Sequence, residues 1–302
     1  MAWEGLRRRF EIHLRLERAL SLQTVAAYLQ DVNKLWTFLQ RDHAHIQPSD
    51  ITTQHLRALL AYLHAADTSA TSQARILSAL RSFFKFLVLE GYMTEDPTAL
   101  VASPKTSRKL PTTLEVHEIE ALFMAIDHTK PMGMRNRAIL ETLYSAGLRV
   151  SELIELKQSH LYAEEGFLRI LGKGNKERLV PIGTAALKYI HLYIKEVRCH
   201  LPYQKDFADH IFLNRRGKRL TRHMIFLIVK ELTQKVGISK PIGPHTFRHA
   251  FATHLIEGGA DLRAVQEMLG HQSITTTEIY THLDQHYLKQ VIQDFHPRSW
   301  QN

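Results

Sequence analysis

The 302-residue sequence predicts a mainly α-helical protein with two domains and one small antiparallel β-sheet. Apolar residues recur at three- and four-residue steps through the first hundred positions and through most of the remainder. Only one pair of apolar runs, on either side of a Gly- and Asn-containing turn, has the pattern of a β-hairpin. The length exceeds that of one typical domain, so two domains are the natural expectation.

Composition narrows the class of protein. A hydrophobic fraction of 44% and a charged fraction of 23% are typical of a globular chain. No run of 18 apolar residues predicts a membrane span, and no apolar run after the N-terminal arginines predicts a signal peptide. The single cysteine, Cys199, excludes an intrachain disulfide. We therefore expect a cytoplasmic protein.

The positive charge lies mainly in the C-terminal two thirds of the chain. The net charge is +9. Residues 1–103 carry 11 Lys or Arg against 10 Asp or Glu, whereas residues 104–302 carry 28 against 20. This distribution favours a polyanionic partner, with nucleic acid ahead of an anionic membrane surface.

The first hundred residues predict a helical domain. Three apolar stripes with helical spacing are expected to form its core. They run over residues 22–39, 56–63 and 76–88. Ser21 is the expected N-cap of the first stripe, Pro48-Ser49-Asp50 is the start signal of the second, and Glu90-Gly91 ends the third.

Basic residues outside the apolar stripes are candidate contacts to a DNA backbone. In the first domain they are Arg75, Arg81 and Lys85, with an ordinary solvated helix face as the equal alternative. The basic, Pro- and Ser/Thr-containing residues 104–113 predict an extended linker. Its Lys105 suits a tether that crosses a duplex backbone, although an inert spacer would have the same composition.

A junction between two helices in the second domain places an arginine at a helix start. One helix is predicted over about residues 135–146, Gly147 ends it, and Arg149 begins the next. Backbone N–H groups at this start would add to the attraction of the guanidinium for an anion. Glu152, three residues on, is placed to reach back and hold the junction in shape.

The predicted hairpin pairs residues 167–171 with residues 178–182. Its turn carries Lys173 and Lys176. Two lysines at a hairpin tip usually serve solubility, unless a nearby reaction needs a proton donor.

Helical segments continue to the C-terminus. They are predicted over residues 184–198, 221–236, 245–257 and 262–269, followed by a helical turn that carries Tyr280 and a terminal amphipathic helix over residues 284–295. The terminal helix must bury its apolar face, either in its own domain or against a neighbouring subunit.

Four residues between positions 245 and 280 suggest chemistry on an anion. His245 and Arg248 are three residues apart, His271 follows Arg248 after 23 residues, and Tyr280 comes nine residues later. A guanidinium binds phosphate bidentately, and a hydroxyl near histidines can act as a nucleophile with acid–base help. The alternative for this stretch is an ordinary helical segment with local hydrogen bonds.

Seven short motifs follow one another over nearly the whole chain. They are Thr71–Arg75, Thr142–Leu153, Gly172–Arg178, His245–His254, Leu269–His271, Ile279–His282 and His296–Arg298. Together they resemble the tyrosine recombinases of the phage integrase family, and among them the Xer-type site-specific recombinases. The full set is highly specific, whereas each motif alone would be weak.

The resemblance implies a nucleophile and a phosphate clamp. Tyr280 would attack a DNA phosphodiester to give a 3′-phosphotyrosyl enzyme and a free 5′-hydroxyl. Arg149 and Arg248 would bind the non-bridging oxygens and stabilise the transition state.

The resemblance also implies which residues transfer protons and which orient the active site. Lys173 would protonate the leaving 5′-oxygen, and His245 is the candidate general base for Tyr280. His271 would hydrogen-bond the scissile phosphate, while Glu152 would orient the site from behind.

Fold and partners follow from the same resemblance. An N-terminal helical, SAM-like core-binding domain would span residues 1–103, and a mixed α/β catalytic domain with a protomer-exchanging last helix would span residues 114–302. The family acts on double-stranded DNA sites through a Holliday junction, as a homotetramer or a heterotetramer with a second Xer recombinase. It implies resolution of chromosome dimers at dif-like sites under the FtsK translocase. No cofactor is implied, because the phosphotyrosine conserves the energy of the broken bond.

Three other functions are compatible with parts of the sequence. An integrase or transposase of a mobile element would use the same chemistry. Its frequent extra arm-binding domain is not expected before a helix that begins within the first dozen residues, but simple transposon recombinases can be equally short, so this alternative stays open. A DNA-binding protein without catalysis would show salt-dependent binding and no cleavage. A metalloenzyme using His245, His249 and His254 lacks a His-Glu-x-x-His pattern or a cysteine pair, so we expect no metal.

Overall fold

The chain divides into two compact units in the computed structural model, Met1–Lys109 and Leu110–Asn302. The structure describes residues 3–42, 46–105, 112–172, 177–270 and 282–299. Helices dominate these ranges, and three strands form one antiparallel sheet. The predicted mainly α fold with a small antiparallel sheet is confirmed.

Four α-helices surround one core in the described part of the first unit. They are α1 (Trp3–Ile12), α2 (Leu22–Asp42), α3 (Thr53–Ala65) and α4 (Ala70–Leu89). The predicted apolar stripes supply this core together with aromatic residues of α1. Trp3 stacks on Trp36 with ring centroids 4.6 Å apart, and Phe83 packs edge-on against Phe10 at 5.1 Å. The aromatic side chains bury large areas and fix how α1 lies on α2 and α4.

The start signals of α2 and α3 differ in outcome. Ser21 caps α2 as predicted, because its Oγ accepts a hydrogen bond of 3.2 Å from the backbone N–H of Thr24. Pro48–Asp50 instead forms a separate 3₁₀ turn, and the extended Ile51 breaks the chain direction before α3 begins. Thr52 is the N-cap of α3, and its backbone N–H donates to Nδ1 of His55 at 3.0 Å.

The second unit contains the remaining helices and the sheet. The helices are α5 (Val116–Met124), α6 (Pro131–Ala146), α7 (Val150–Ile154), α8 (Thr184–Glu196), α9 (Arg222–Lys235), α10 (Pro244–Gly258), α11 (Leu262–Leu269) and α12 (His282–Phe295). Helix α6 is buried over most of its length because it packs against both α8 and α10. It is the centre of this unit.

The predicted hairpin is confirmed, and a third short strand joins it. Strands β1 (Leu161–Tyr162), β2 (Phe167–Leu171) and β3 (Glu177–Pro181) pair antiparallel in that order. Leu168 lies opposite Val180, and Ile170 lies opposite Arg178. The sequence did not predict β1, since two residues are too few for a period-two pattern to be visible.

Helix α12 buries its apolar face within the second unit. Leu288, Val291 and Ile292 are almost fully buried, and the helix contacts α10, α11 and β3. Lys289 Nζ donates to the carbonyl of Glu165 at 2.9 Å. Of the two places that the sequence allowed for this face, the chain's own domain is the one occupied here. Exchange between protomers stays a prediction.

A buried polar network fastens the segment after α12 to α6. The Glu141 carboxylate is fully buried and accepts hydrogen bonds from Arg137 at 3.0 Å and Arg298 at 2.7 Å. His296 Nε2 lies 3.3 Å from the carbonyl oxygen of Tyr144. Pairing of this kind is required because an unpaired buried charge is costly.

None of the described helices combines the length and apolar character that a bilayer span requires.

Replacing Gly147 by alanine should destabilise the second unit. Gly147 has φ +56°, and an added Cβ would lie 2.4 Å from Cδ1 of the buried Phe251 ring. Left-handed backbone and overpacking together should cost about 2–4 kcal/mol. Gly237→Ala is the control, since Gly237 has φ +72° with no atom within 4 Å of the added Cβ and should lose only about 1 kcal/mol. Urea unfolding of both variants measures the difference, and equal losses would contradict the packing argument.

The folded state should become less stable in acid because His296 is buried in its neutral form. Burial lowers the pKa of His296 to about 3, against the partial opposition of the hydrogen bond to Tyr144. As the pH falls, His296 takes up a proton near the ordinary histidine pKa in the unfolded chain, but only near pH 3 in the folded chain. The contribution of neutral, buried His296 to folding stability is therefore fully present above about pH 6.5 and is lost as the pH falls toward 3.

The change from pH 6.5 to pH 4.5 should be roughly 2 kcal/mol smaller in His296→Gln than in the wild type. Urea unfolding at several pH values measures this difference. Above about pH 8 the two proteins should have the same slope, because His296 is almost entirely neutral in both states there. A wild-type acid slope retained in full by the variant would count against the assignment.

Candidate active site

Arg149 is placed by the tight turn between α6 and α7. Gly147 ends α6 in the left-handed region, and Arg149 is the N-cap of α7. The Glu152 carboxylate accepts hydrogen bonds from the backbone N–H of Arg149 at 2.8 Å and from its Nη1 at 2.9 Å. The predicted reach-back of Glu152 onto Arg149 is confirmed.

Arg248 approaches the same carboxylate from α10. Its Nη1 donates to the carbonyl of Gly147 at 2.7 Å and lies 4.0 Å from Oε2 of Glu152. Burial, followed by the positive charge of Arg149, lowers the pKa of Arg248 to about 10. The guanidinium therefore stays protonated at neutral pH, next to a second cation.

A third arginine, Arg178 of β3, completes the group. Its Nη1 and Nη2 each donate to one oxygen of Glu152 at 2.9 Å. Arg178 ends the Gly172–Arg178 motif, but the sequence pattern did not predict a role for it in the site. A signal was present, because the strand alternation puts Arg178 on the same buried face as Val180.

The three guanidiniums also bind three consecutive carbonyls at the C-terminal end of α11. Arg178 Nε donates to Met268 at 3.1 Å, Arg248 Nη2 to Leu269 at 2.5 Å, and Arg149 Nη2 to Gly270 at 3.4 Å. The last carbonyls of a helix have no intrahelical partner and carry its negative dipole end, so they attract cations. The result is one compact cluster formed by α7, β3, α10 and α11.

Glu152 is ionised within this cluster. Burial alone would raise its pKa, but the hydrogen bonds and charge of Arg178, followed by those of Arg149, hold the pKa below the ordinary glutamate value. Only 4% of its side chain is exposed. One negative charge thus faces three positive charges, and the cluster has positive charge in excess with which to bind an anion.

The three histidines on α10 have different surroundings. His245 is exposed in the first turn, directly after Pro244, and His249 is half-buried. His254 is buried and shares a hydrogen bond of 2.8 Å with the hydroxyl of Tyr144. Within the described ranges, no three His, Cys, Asp or Glu side chains gather as a metal site would require.

Four predicted site residues lie outside the described residues. They are Lys173, Lys176, His271 and Tyr280. The described residues on either side fix where their segments begin and end. Lys173 and Lys176 belong to the connection between β2 and β3, and His271 directly follows Gly270, whose carbonyl Arg149 binds.

The candidate DNA contacts of the first unit fall into two groups. Arg75 is half exposed and forms a bidentate ion pair with the fully buried Asp31. Arg81 donates to the carbonyl of Val101 at 2.7 Å, whereas Lys85 and Lys105 are exposed. Arg75 and Arg81 thus have structural bonds, and their contact with DNA stays a prediction, as it does for the two lysines.

Two family models match the chain. The model described as "Phage integrase family" matches residues 112–286, and the model described as "Phage integrase, N-terminal SAM-like domain" matches residues 8–91. The first covers more than half of the chain.

Relatives with similar sequences have the name tyrosine recombinase XerD. The protein from Staphylococcus saprophyticus is 44% identical over 287 residues, which are 95% of this chain and 96% of the relative. The protein from Listeria innocua is 41% identical over 284 residues, which are 94% of this chain and 96% of the relative.

Solved structures share the fold. A lambda integrase dimer bound to a COC′ core site aligns with a TM-score of 0.71 at 20% identity, covering 97% of this chain and 78% of that chain. The XerH site-specific recombinase bound to palindromic difH substrate aligns with a TM-score of 0.71 at 24% identity, covering 95% of this chain and 84% of that chain. The motifs that carry the resemblance, both family models and the full-length relatives agree, and the chain belongs to the phage integrase family of tyrosine recombinases, as an Xer-type site-specific DNA recombinase.

Proposed function

We propose that this recombinase resolves chromosome dimers by cutting and rejoining DNA strands at dif-like sites. The observation that carries the chemistry is the pair of guanidiniums, Arg149 and Arg248, that one buried carboxylate and one helix end hold together. Two preorganised cations side by side fit the non-bridging oxygens of one phosphodiester. The proposed biological role is consistent with the relatives named tyrosine recombinase XerD.

In the proposed reaction the Tyr280 hydroxyl attacks the scissile phosphorus. The new bond joins the tyrosine oxygen to the phosphate, and the bond to the 5′-oxygen breaks. His245 takes the proton of the tyrosine hydroxyl, and Lys173 gives a proton to the leaving oxygen, so that a 5′-hydroxyl is released. The attack of another 5′-hydroxyl on the phosphotyrosine reverses these steps and rejoins strands through a Holliday junction.

The described geometry supports the roles of the arginines and of His245. Arg149 is the more exposed of the two clamp arginines, with 37% of its side chain accessible against 11% for Arg248. Arg149 would therefore meet the phosphate first, and Arg248 would stabilise it from beneath. The exposed position of His245 suits a base that must exchange its proton with solvent. His271 would complete the hydrogen bonds to the phosphate, and Glu152 would orient the clamp.

Domain roles and partners extend this proposal. Residues 1–103 would form the DNA core-binding domain, residues 104–113 the basic linker, and residues 114–302 the catalytic domain with its exchanging helix. Lys85 and Lys105 would contact the backbone, as would Lys176, with Arg75 and Arg81 beside them. Four protomers, either all copies of this chain or shared with a second Xer recombinase, would bind paired sites in the cytoplasm, and the FtsK translocase would control them.

A nicked suicide substrate tests the chemistry. On such DNA the wild type should accumulate a covalent protein–DNA complex, because the small fragment beyond the nick diffuses away before religation. Tyr280→Phe should give none, and Arg149→Ala or Arg248→Ala should slow its formation on the order of 10²- to 10³-fold. A covalent band that persists in Tyr280→Phe would overturn the mechanism. Sequencing the DNA recovered in the complex would separate a chromosomal dif-like site from the end of a mobile element.

Salt dependence tests the DNA contacts. Lys85→Ala should weaken binding by a similar factor on every duplex and reduce the slope of log K against log salt by about 1, because one phosphate contact is lost. Arg57→Ala is the control, since Arg57 is exposed on α3 and lies outside the predicted set. Electrophoretic mobility shifts at three salt concentrations measure both variants. An unchanged slope in Lys85→Ala would remove this residue from the contact set.

A further inference from the structure

The guanidinium of Arg178 faces protein on all three of its nitrogens. Its two terminal nitrogens bind the two oxygens of Glu152, and its Nε binds the carbonyl of Met268. Only 8% of its side chain is exposed, which is less than for Arg149 or Arg248. Three of its five N–H donors, one on each nitrogen, are thus bound to protein groups. This arrangement favours an indirect role in the site.

Through these bonds Arg178 joins two distant parts of the site. Glu152 carries the Arg149 guanidinium, and Met268 begins the row of carbonyls that Leu269 and Gly270 continue. Arg178 thus binds the first carbonyl of this row from the buried side, as its anchor, and the more accessible Arg149 binds the last. Movement of this anchor would shift both the carboxylate and the helix end on which the two clamp arginines depend.

The charge balance gives Arg178 a second effect. Its cation compensates the buried carboxylate, so that Arg149 and Arg248 keep positive charge for an anion. Without it, Glu152 would draw both remaining guanidiniums toward itself, because a buried carboxylate without enough partners is strongly unfavourable. Arg248 lies 4.0 Å from that carboxylate, so a small rotation would bring it within hydrogen-bond distance.

We infer that Arg178 is a positioning residue of the recombination reaction, which holds Glu152 and the end of α11 so that Arg149 and Arg248 present their guanidiniums to the scissile phosphate. The inference rests on the proposed function. It also connects β3, which directly follows the segment with Lys173, to the phosphate clamp.

A double-mutant cycle on the suicide substrate tests this inference. Arg178→Met should slow formation of the covalent complex about 10- to 100-fold, the range typical of groups that orient the residues in direct contact with a reacting centre. The Kd for intact duplex should stay within about twofold, because backbone contacts outside the site dominate binding. If Arg178 acts through Arg149, the double variant Arg149→Ala/Arg178→Met should be slowed much less than the product of the two single effects.

Arg137→Met is the matched control. Arg137 is a similarly buried arginine of the same unit, with 9% of its side chain exposed, and it also shares a buried carboxylate with a second arginine. Its partners, Glu141, Phe123 and Tyr189, lie outside the cluster. Combined with Arg149→Ala, it should give the product of the single effects, as a purely structural change would.

The possible results are distinct. If the wild type forms no covalent complex, the proposed function itself fails. If the wild type reacts and Arg178→Met reacts equally fast, or if its effect multiplies with that of Arg149→Ala, the positioning role is overturned. Arg178→Lys, which keeps the charge but not the two parallel hydrogen bonds, replaces Arg178→Met in the cycle if the methionine variant does not fold. If neither variant folds while Arg137→Met does, Arg178 is a residue of the fold alone.

Discussion

The ionised carboxylate of Glu152 is the interaction on which the site depends. It lies at the meeting point of α7, β3 and α10, and it accepts hydrogen bonds from Arg149 and Arg178 while Arg248 lies within ion-pair distance. Three guanidiniums without such a centre would repel one another in a buried space. With it, they pack closely and still keep positive charge for an anion. The carbonyls at the end of α11, together with the carboxylate, offset the desolvation cost of burying these charges.

The second unit has two buried carboxylates that are each bound by arginines. Glu141, in the middle of α6, is buried between Arg137 and Arg298 and so holds the C-terminal segment. Three residues after Tyr144, the same helix ends at Gly147, from which the chain turns to Arg149. Helix α6 therefore contributes to one ion-pair group and leads into another, and the two groups share no residue. Both groups are ion pairs in a low-dielectric setting, where geometry is strongly constrained.

Charge in the first unit is used differently. Asp31 of α2 is fully buried and forms an ion pair with Arg75 of α4. At least one of the candidate DNA-binding arginines of the first unit therefore stabilises the packing of α2 against α4. The excess of positive charge lies instead in residues 104–302. The electrostatic attraction to a polyanion is thus strongest in the part of the chain that contains the arginine cluster around Glu152.

The sequence alone determined most of the helices, the hairpin to within one residue, and the reach-back of Glu152 onto Arg149. Each of these depends on residues that are neighbours along the chain or follow a short period, and motif order was enough to indicate the family. It did not determine β1, whose two residues show no period, or the start of α3, where Pro48 and Thr52 offered competing signals. Only the tertiary structure decided that α12 packs on its own unit and that Arg178 reaches Glu152 and Met268. Those two contacts join residues 26 and 90 positions apart, and no local pattern encodes which buried arginine will meet which carboxylate once the helices have packed.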